Sequence, residues 1–248
     1  MAQIKIHFYH SLNDFIAPAL SATEIIHNFD RKTSVKDMIE SFNVPHPEVE
    51  LILVNGVAVN FNYIVQDKDS IQVYPADGSP EVKRLLPHRM EVSRPPVFVV
   101  DSNLGKLARY LRLLGFDCLY RNDFDDTTVA TIASEQQRIV LTRDRSLLQR
   151  RIITYGYFVR ANLPKIQTQE VMKRFNLYSL IKPLTRCTHC NGKLMETGKQ
   201  QIEHCLEPLT RKYYEKFLVC PECGQIYWQG GHYVRIKLLI DEFAAEKL

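Results

Sequence analysis

The chain has 248 residues, 45% of them hydrophobic and 24% charged, with a formal net charge of +4. That length is too great for one small domain and suits two or three, and the composition is that of an ordinary soluble globular protein. No apolar run reaches membrane-spanning length, which excludes an integral helical membrane protein. The opening MAQIKIHFYH lacks the apolar core and cleavage pattern of a secretory leader, so a cytosolic location is expected. Small net charge says little about partners; where the basic residues lie says more.

Residues 1–75 read as a compact α+β domain. IKIHFYH is a strand pattern. Ser34 can cap a short helix over SVKDMIESF, with Val35, Met38, Ile39 and Phe42 on one face. ELILVNG ends in Asn55-Gly56, a hairpin signal, and VAVNF continues it before a last strand in DKDSIQVYP. Residues 76–96, ADGSPEVKRLLPHRMEVSRPP, read as a linker rich in Pro, with a short helix around EVKRLL.

Residues 97–182 alternate strand and helix patterns, which implies a mostly parallel sheet. VFVVD, DCLYR, RIVLT and GYFVRA are the strands. NLGKLARYLRLLG, DDTTVATIASEQQ, SLLQRR and IQTQEVMKRFN are the helices. In such sheets, sites form at the carboxyl ends of the strands. Asp101 ends the first strand, Asp144 follows another in RIVLTRD, and Asp123, Asp125 and Asp126 precede a helix. Carboxylates brought together would repel unless a cation neutralised them, and hard oxygen ligands suit Mg²⁺ or Mn²⁺. Taken singly, each acid is more simply a helix cap or a solvated loop residue. Together, two strand ends and one helix start agree. On the following helix Lys106, Arg109 and Arg112 fall opposite the leucines, and Arg143, Arg145, Arg150 and Arg151 add charge near Asp144. A solvated face is the commoner explanation of such a stripe, but beside the acids a nucleic-acid groove is the preferred reading, with Lys106, Arg109, Arg112, Arg143 and Arg145 as RNA-binding residues.

Residues 183–240 carry CTHC and CPEC. In a cytosolic chain two CxxC pairs read as metal ligands, and Cys187, Cys190, Cys220 and Cys223 form a set suited to structural zinc. His189, His204 and His232 are candidate extra ligands, more simply solvated. Tyr227, Trp228, His232 and Tyr233 read equally as base-stacking or as packing residues. Cys118 and Cys205 stand alone and read as small apolar residues.

Two resemblances follow. VPHPEVELILVNGVAVNFNYIVQDKDSIQVYP resembles the ubiquitin-like β-grasp sulfur carriers, although no Gly-Gly tail ends the domain. That departure argues against sulfur chemistry and leaves a binding or scaffold role toward an unknown protein partner. FVVDSNLGKLARYLRLLGFD, DDTTVATIASEQQRIVLTRDRSLL and the CxxC pairs with YWQGGH resemble the Mut-seven C-terminal RNase family. That resemblance implies a PIN-like metal-dependent ribonuclease acting on RNA. Its motif acids fall on Asp101, on Asp126 in DTTVATIA and on Asp144 in TRD, while Arg145 and Ser146 stand where a further acid is common. A Glu that the family usually carries on an intervening helix has no clear counterpart, and Asp123 or Asp125 is a candidate substitute. The expected architecture is a β-grasp domain (1–75), a linker (76–96), a PIN-like α/β domain (97–182) and a zinc ribbon (183–240). The alternative function is a non-catalytic RNA- or ribonucleoprotein-binding adaptor.

Overall fold

A computed structural model describes residues 1–75, 82, 95–231 and 233–245. Most of the expected linker, with its short helix, lies outside the described residues, as does His232. Among the described residues, no helix is long and apolar enough to cross a membrane.

The N-terminal fold comprises β1 (Ala2–Phe8), β2 (Ile25–Phe29), α1 (Val35–Ser41), β3 (Val49–Val54), β4 (Val57–Val59) and β5 (Ser70–Pro75). Its sheet has the order β2-β1-β5-β3-β4, with β1 and β5 parallel and the other pairs antiparallel. Ser34 caps α1 by accepting from the Asp37 amide at 3.1 Å. Asn55 and Gly56 both take positive φ (53° and 81°), as a tight hairpin turn between β3 and β4 demands. Val35, Met38 and Ile39 of α1 are buried against Ile4, Ile6, Phe8, Ile71 and Val73 of the sheet. Strand β2 was not expected; it is a five-residue edge with an alternating, half-exposed pattern, a weak periodic signal.

The central part follows as β6 (Phe98–Val100), α2 (Gly105–Leu113), β7 (Cys118–Leu119), α3 (Asp126–Glu135), β8 (Ile139–Thr142), α4 (Arg145–Leu148), β9 (Gly156–Phe158) and α5 (Pro164–Arg174). The four strands form a sheet of order β7-β6-β8-β9, and β6 pairs in parallel with β7 and β8. All three residues of β6 are fully buried, because a parallel strand has both faces covered.

The C-terminal part holds β10 (Met195–Gly198), α6 (Lys199–Ile202), α7 (Pro208–Tyr213), β11 (Lys216–Val219), β12 (Ile226–Trp228) and α8 (Tyr233–Ala245). Strands β10, β11 and β12 make an antiparallel sheet in that order.

By its contacts the chain divides into two units, Met1–Ser93 with Thr142–Phe158, and Arg94–Leu141 with Val159–Leu248. Within the first unit, Phe158 packs on the core beneath the N-terminal sheet, its ring edge-on to Phe15 at 5.4 Å. The Phe158 amide donates to Glu48 Oε1 at 2.6 Å. His46, 7% exposed, touches Glu40 Oε1 through Nδ1 and the Ile153 carbonyl through Nε2, both at 2.7 Å. A carbonyl only accepts, so Nε2 donates to it.

Candidate functional site

Two groups of residues carry chemistry. The first is the set of acids. Asp101 is 6% exposed at the carboxyl end of β6, where its amide donates to the Leu141 carbonyl at 3.0 Å and its Oδ1 accepts from Ser102 Oγ at 3.2 Å. The 3-10 turn Ser102–Leu104 then leads directly into α2. A buried carboxylate at that junction is the unusual feature, since charged groups seldom lose water without a purpose or partner.

Asp126 is the first residue of α3 and is half-buried. It is not the cap: Asp125 takes that role, accepting from the Thr128 amide at 2.7 Å. Asp144 caps α4, with Oδ1 accepting from both the amide and the hydroxyl of Ser146 at 2.7 Å. Burial alone would raise the Asp144 carboxyl; Ser146 and the nearby Arg150 outweigh this and hold it below the usual carboxylate range. Asp123 is exposed, and both its oxygens accept from Arg121, at 2.9 and 2.6 Å. That pairing lowers its carboxyl as well. Asp101, Asp123, Asp125 and Asp126 do not form a tight ligand group. Among the described residues, the only gathering of three or more His, Cys, Asp or Glu ligand atoms is the cysteine cluster.

The basic residues divide. Lys106 and Arg109 are exposed on α2, and Arg143 is exposed beyond β8. Arg112 departs from its expected place in an exposed RNA-binding stripe: it is 3% exposed. Its guanidinium donates to the carbonyls of Cys118 (2.8 Å), Tyr120 (3.2 Å) and His189 (2.6 Å). The wheel reading assumed one wet face, but the first cysteine knuckle covers the last turn of α2. Arg145 is also committed. Its guanidinium lies 5.1 Å from the Phe15 ring centre and 5.6 Å from that of Phe158, within cation–π range. It also reaches the Asp14 carbonyl at 3.3 Å.

The second group is the cysteine cluster. The ligand sulfurs of Cys187, Cys190, Cys220 and Cys223 all lie within 4.8 Å of one another. Two turns of one pattern place them. The Asn191 amide donates to the Cys187 carbonyl and the Cys187 amide to that of Gly192; Gly224 to Cys220 and Cys220 to Gln225 repeat the pair. Asn191 (φ 79°) and Gly224 (φ 73°) supply the left-handed residue that each turn needs. Sulfur separations of 3.5 Å (Cys187–Cys223) and 3.3 Å (Cys190–Cys220) are near the edge of about 3.8 Å that a zinc–sulfur bond of about 2.3 Å requires of a tetrahedron. The donor set therefore fits a structural zinc. Burial opposes the Cys187 thiolate, but the Tyr227 hydroxyl, 3.2 Å away, brings that thiol down to about 7. Burial pushes Cys190 up to about 12. Tyr227 also accepts from the Thr188 amide at 3.0 Å, so it packs rather than stacks. Trp228 remains 40% exposed. His189 and His204 are exposed and outside the cluster. Cys118 is buried as expected, and burial pushes its thiol to about 12; Cys205 is exposed, unlike the apolar residue expected.

Sequence reasoning missed how the first knuckle is fastened. Asn191 Oδ1 accepts from the Cys118 amide at 2.9 Å, and its Nδ2 donates to Asp117 at 3.0 Å. Asp117 also binds Arg138 (2.6 Å) and Arg186 (3.0 Å). Burial alone would raise the Asp117 carboxyl; these three donors hold it below the usual range. No periodic or motif signal marks such a hub.

The architecture is thus an N-terminal β-grasp fold, a central four-stranded α/β sheet and a cysteine cluster consistent with a zinc ribbon. The chain belongs to the Mut7-C RNAse domain family, whose model matches residues 96–240. The Mut7-C ubiquitin model matches residues 1–80. No curated protein and no solved structure matches the chain.

Proposed function

We propose that the protein is a metal-dependent ribonuclease that hydrolyses RNA phosphodiester bonds. The observation that carries this reading is Asp101, a carboxylate 6% exposed at a parallel-strand end in a chain of an RNase-domain family. Asp101, Asp126 and Asp144 would hold the cation. Asp126 opens α3 and Asp144 caps α4, the positions on which the family's motif acids fall. Mg²⁺ or Mn²⁺ supplies a water of lowered pKa and charge to stabilise the phosphoryl transition state. Asp123, taken up by Arg121, leaves the set.

Lys106, Arg109 and Arg143 would hold the phosphate backbone, with Arg favouring bidentate contacts. Arg112 and Arg145 leave that list, being committed to carbonyls and rings. The cysteine cluster takes a structural zinc, since four thiolates leave no open position. A cytoplasmic location belongs to this reading too. The second reading, a non-catalytic RNA-binding adaptor, draws on Arg145 and Ser146 standing where a further acid is common.

The test is cleavage and binding of single-stranded RNA with Mg²⁺ or Mn²⁺. Asp101→Asn abolishes cleavage and leaves binding intact. If wild-type protein binds RNA yet cleaves it no better than Asp101→Asn, the adaptor reading replaces the nuclease.

A further inference from the structure

The C-terminal sheet carries a pocket for which neither the cysteine cluster nor the acids account. It has a volume of about 340 Å³, and its lining includes Leu206, Glu207, Thr210, Gln225, Ile226 and Trp228. All six belong to one unit of the chain. Part of the lining is apolar and fixed: Leu206 is buried in a cluster with Phe217 of β11, and Ile226 packs on the same cluster. Trp228 is the one tryptophan of the chain. It pairs across the sheet with Phe217, so the two side chains share a face, yet Phe217 is 3% exposed and Trp228 is 40% exposed. A tryptophan left open beside a pocket is unusual, since this residue is highly buried on average. Gly230 lies against the indole and limits its swing, because a Cβ at that position would meet Nε1 at 2.5 Å. The rest of the named lining is polar, with Glu207, Thr210 and Gln225. Among the described residues the Glu207 carboxylate takes no hydrogen bond or ion pair. Arg211 and Lys212 follow Thr210 on α7 and are exposed.

Resting on the reading that the protein binds RNA, we propose that this pocket takes one unpaired guanine base, stacked on Trp228 and read by Glu207. The cavity is at the small end of the range for ligand sites, roughly 300–1,000 Å³, which suits a single base rather than a helix. The indole offers a flat π face, and every base can stack on it. The carboxylate makes the choice. It only accepts, so it needs donors. Among the four RNA bases, only guanine presents two adjacent donors, N1–H and the N2 amino group, which one carboxylate can take together. Adenine and cytosine set a ring acceptor beside their amino group, and uracil flanks its single N–H with two carbonyls. Thr210 and Gln225 can donate to guanine O6. Arg211 and Lys212 supply charge for the neighbouring phosphates. The second knuckle then has a task beyond its own fold: it anchors the strand that carries Gln225, Ile226 and Trp228.

The experiment uses the full-length chain without added Mg²⁺ or Mn²⁺, so that binding is measured apart from cleavage. The probes are short uridine oligonucleotides with G, A, C or U at the central position. Binding is read from the anisotropy of a labelled RNA and from quenching of the single tryptophan. The G-containing RNA binds about tenfold more tightly than the other three and quenches Trp228. Trp228→Ala weakens that binding by about tenfold or more, and Trp228→Phe recovers most of the loss. Glu207→Gln brings the G-containing RNA down to the level of the others and leaves those unchanged. Zinc content and the denaturant midpoint stay at wild-type values in all three variants. Equal affinity of the wild type for the four RNAs overturns the proposal, and so does a G preference that survives Glu207→Gln. If that wild type still cleaves RNA with Mn²⁺ better than Asp101→Asn, the nuclease reading stands without the pocket. A G preference lost in Glu207→Gln, with no cleavage beyond that of Asp101→Asn, keeps the pocket and removes the nuclease. No binding to any of the four RNAs overturns the pocket and the RNA reading together.

Discussion

In the cysteine module, two turns of one backbone pattern bring four sulfurs within 4.8 Å. In the central sheet, Asp101 ends a strand and Asp126 begins a helix, and among the described residues no group of three or more ligand atoms gathers there. The first site is written locally, by cysteines three apart in each turn. The second is written by topology, and each acid answers first to its own element. A local site is gathered before its ion arrives; a topological one relies on everything that fixes its elements. Mutations should therefore act differently in the two regions.

The largest effect belongs to the cysteines. Cys187→Ser or Cys223→Ser loses the zinc that purified wild-type protein is expected to carry, and β10–β12 unfold with it. Structural zinc contributes about 10–16 kcal/mol of apparent binding energy in small modules, so no neighbouring contact compensates. Metal analysis and amide exchange across residues 195–228 check this. Zinc-free wild-type protein, purified without chelator, would break the comparison at its first term.

The next effect tests two arginines one helical turn apart. Arg112→Met leaves one buried and two part-buried carbonyls without their donor and lowers stability by about 3 kcal/mol. Arg109→Ala leaves stability unchanged and instead weakens RNA binding, with a shallower salt dependence. Denaturant unfolding and salt-dependent binding separate the two. Equal effects would show that the knuckle does not depend on α2.

The smallest effect is at Asp117, and it depends on pH. Its folded carboxyl is held below its unfolded value. Its contribution is therefore present above about pH 4 and is lost as pH falls through the folded value. Asp117→Asn lowers stability at neutral pH by on the order of 1–2 kcal/mol and flattens the acid limb of the stability curve. An unchanged acid limb would remove Asp117 from the knuckle's fastening.

The parts legible in the sequence were those with short-range signatures. Ser34 announced α1, Asn55-Gly56 the β3–β4 hairpin, and the CxxC pairs the cluster. Asp101 was legible as a strand-ending acid because four apolar residues precede it. Arg112 was misjudged because a helical wheel knows only one solvent and cannot foresee a knuckle docking on the last turn. The roles of Asp117, Asn191 and Tyr227 were hidden for the same reason: single polar residues acquire partners only through contacts distant in sequence. His46 reaches across 107 residues to Ile153, and nothing local distinguishes it from a solvated histidine.

That separation bears on how the protein is made. Chains emerge from the ribosome amino end first, and domains usually fold as they appear. Here the N-terminal sheet is finished by Pro75, but Phe158, which packs on its core, is synthesised long afterwards. Until then Phe15 lacks its edge-on ring, and Glu48 and His46 lack the backbone groups they bind. The nascent N-terminal fold therefore waits with a sticky, half-satisfied surface, and the interval before residue 158 appears is when a chaperone would protect it most.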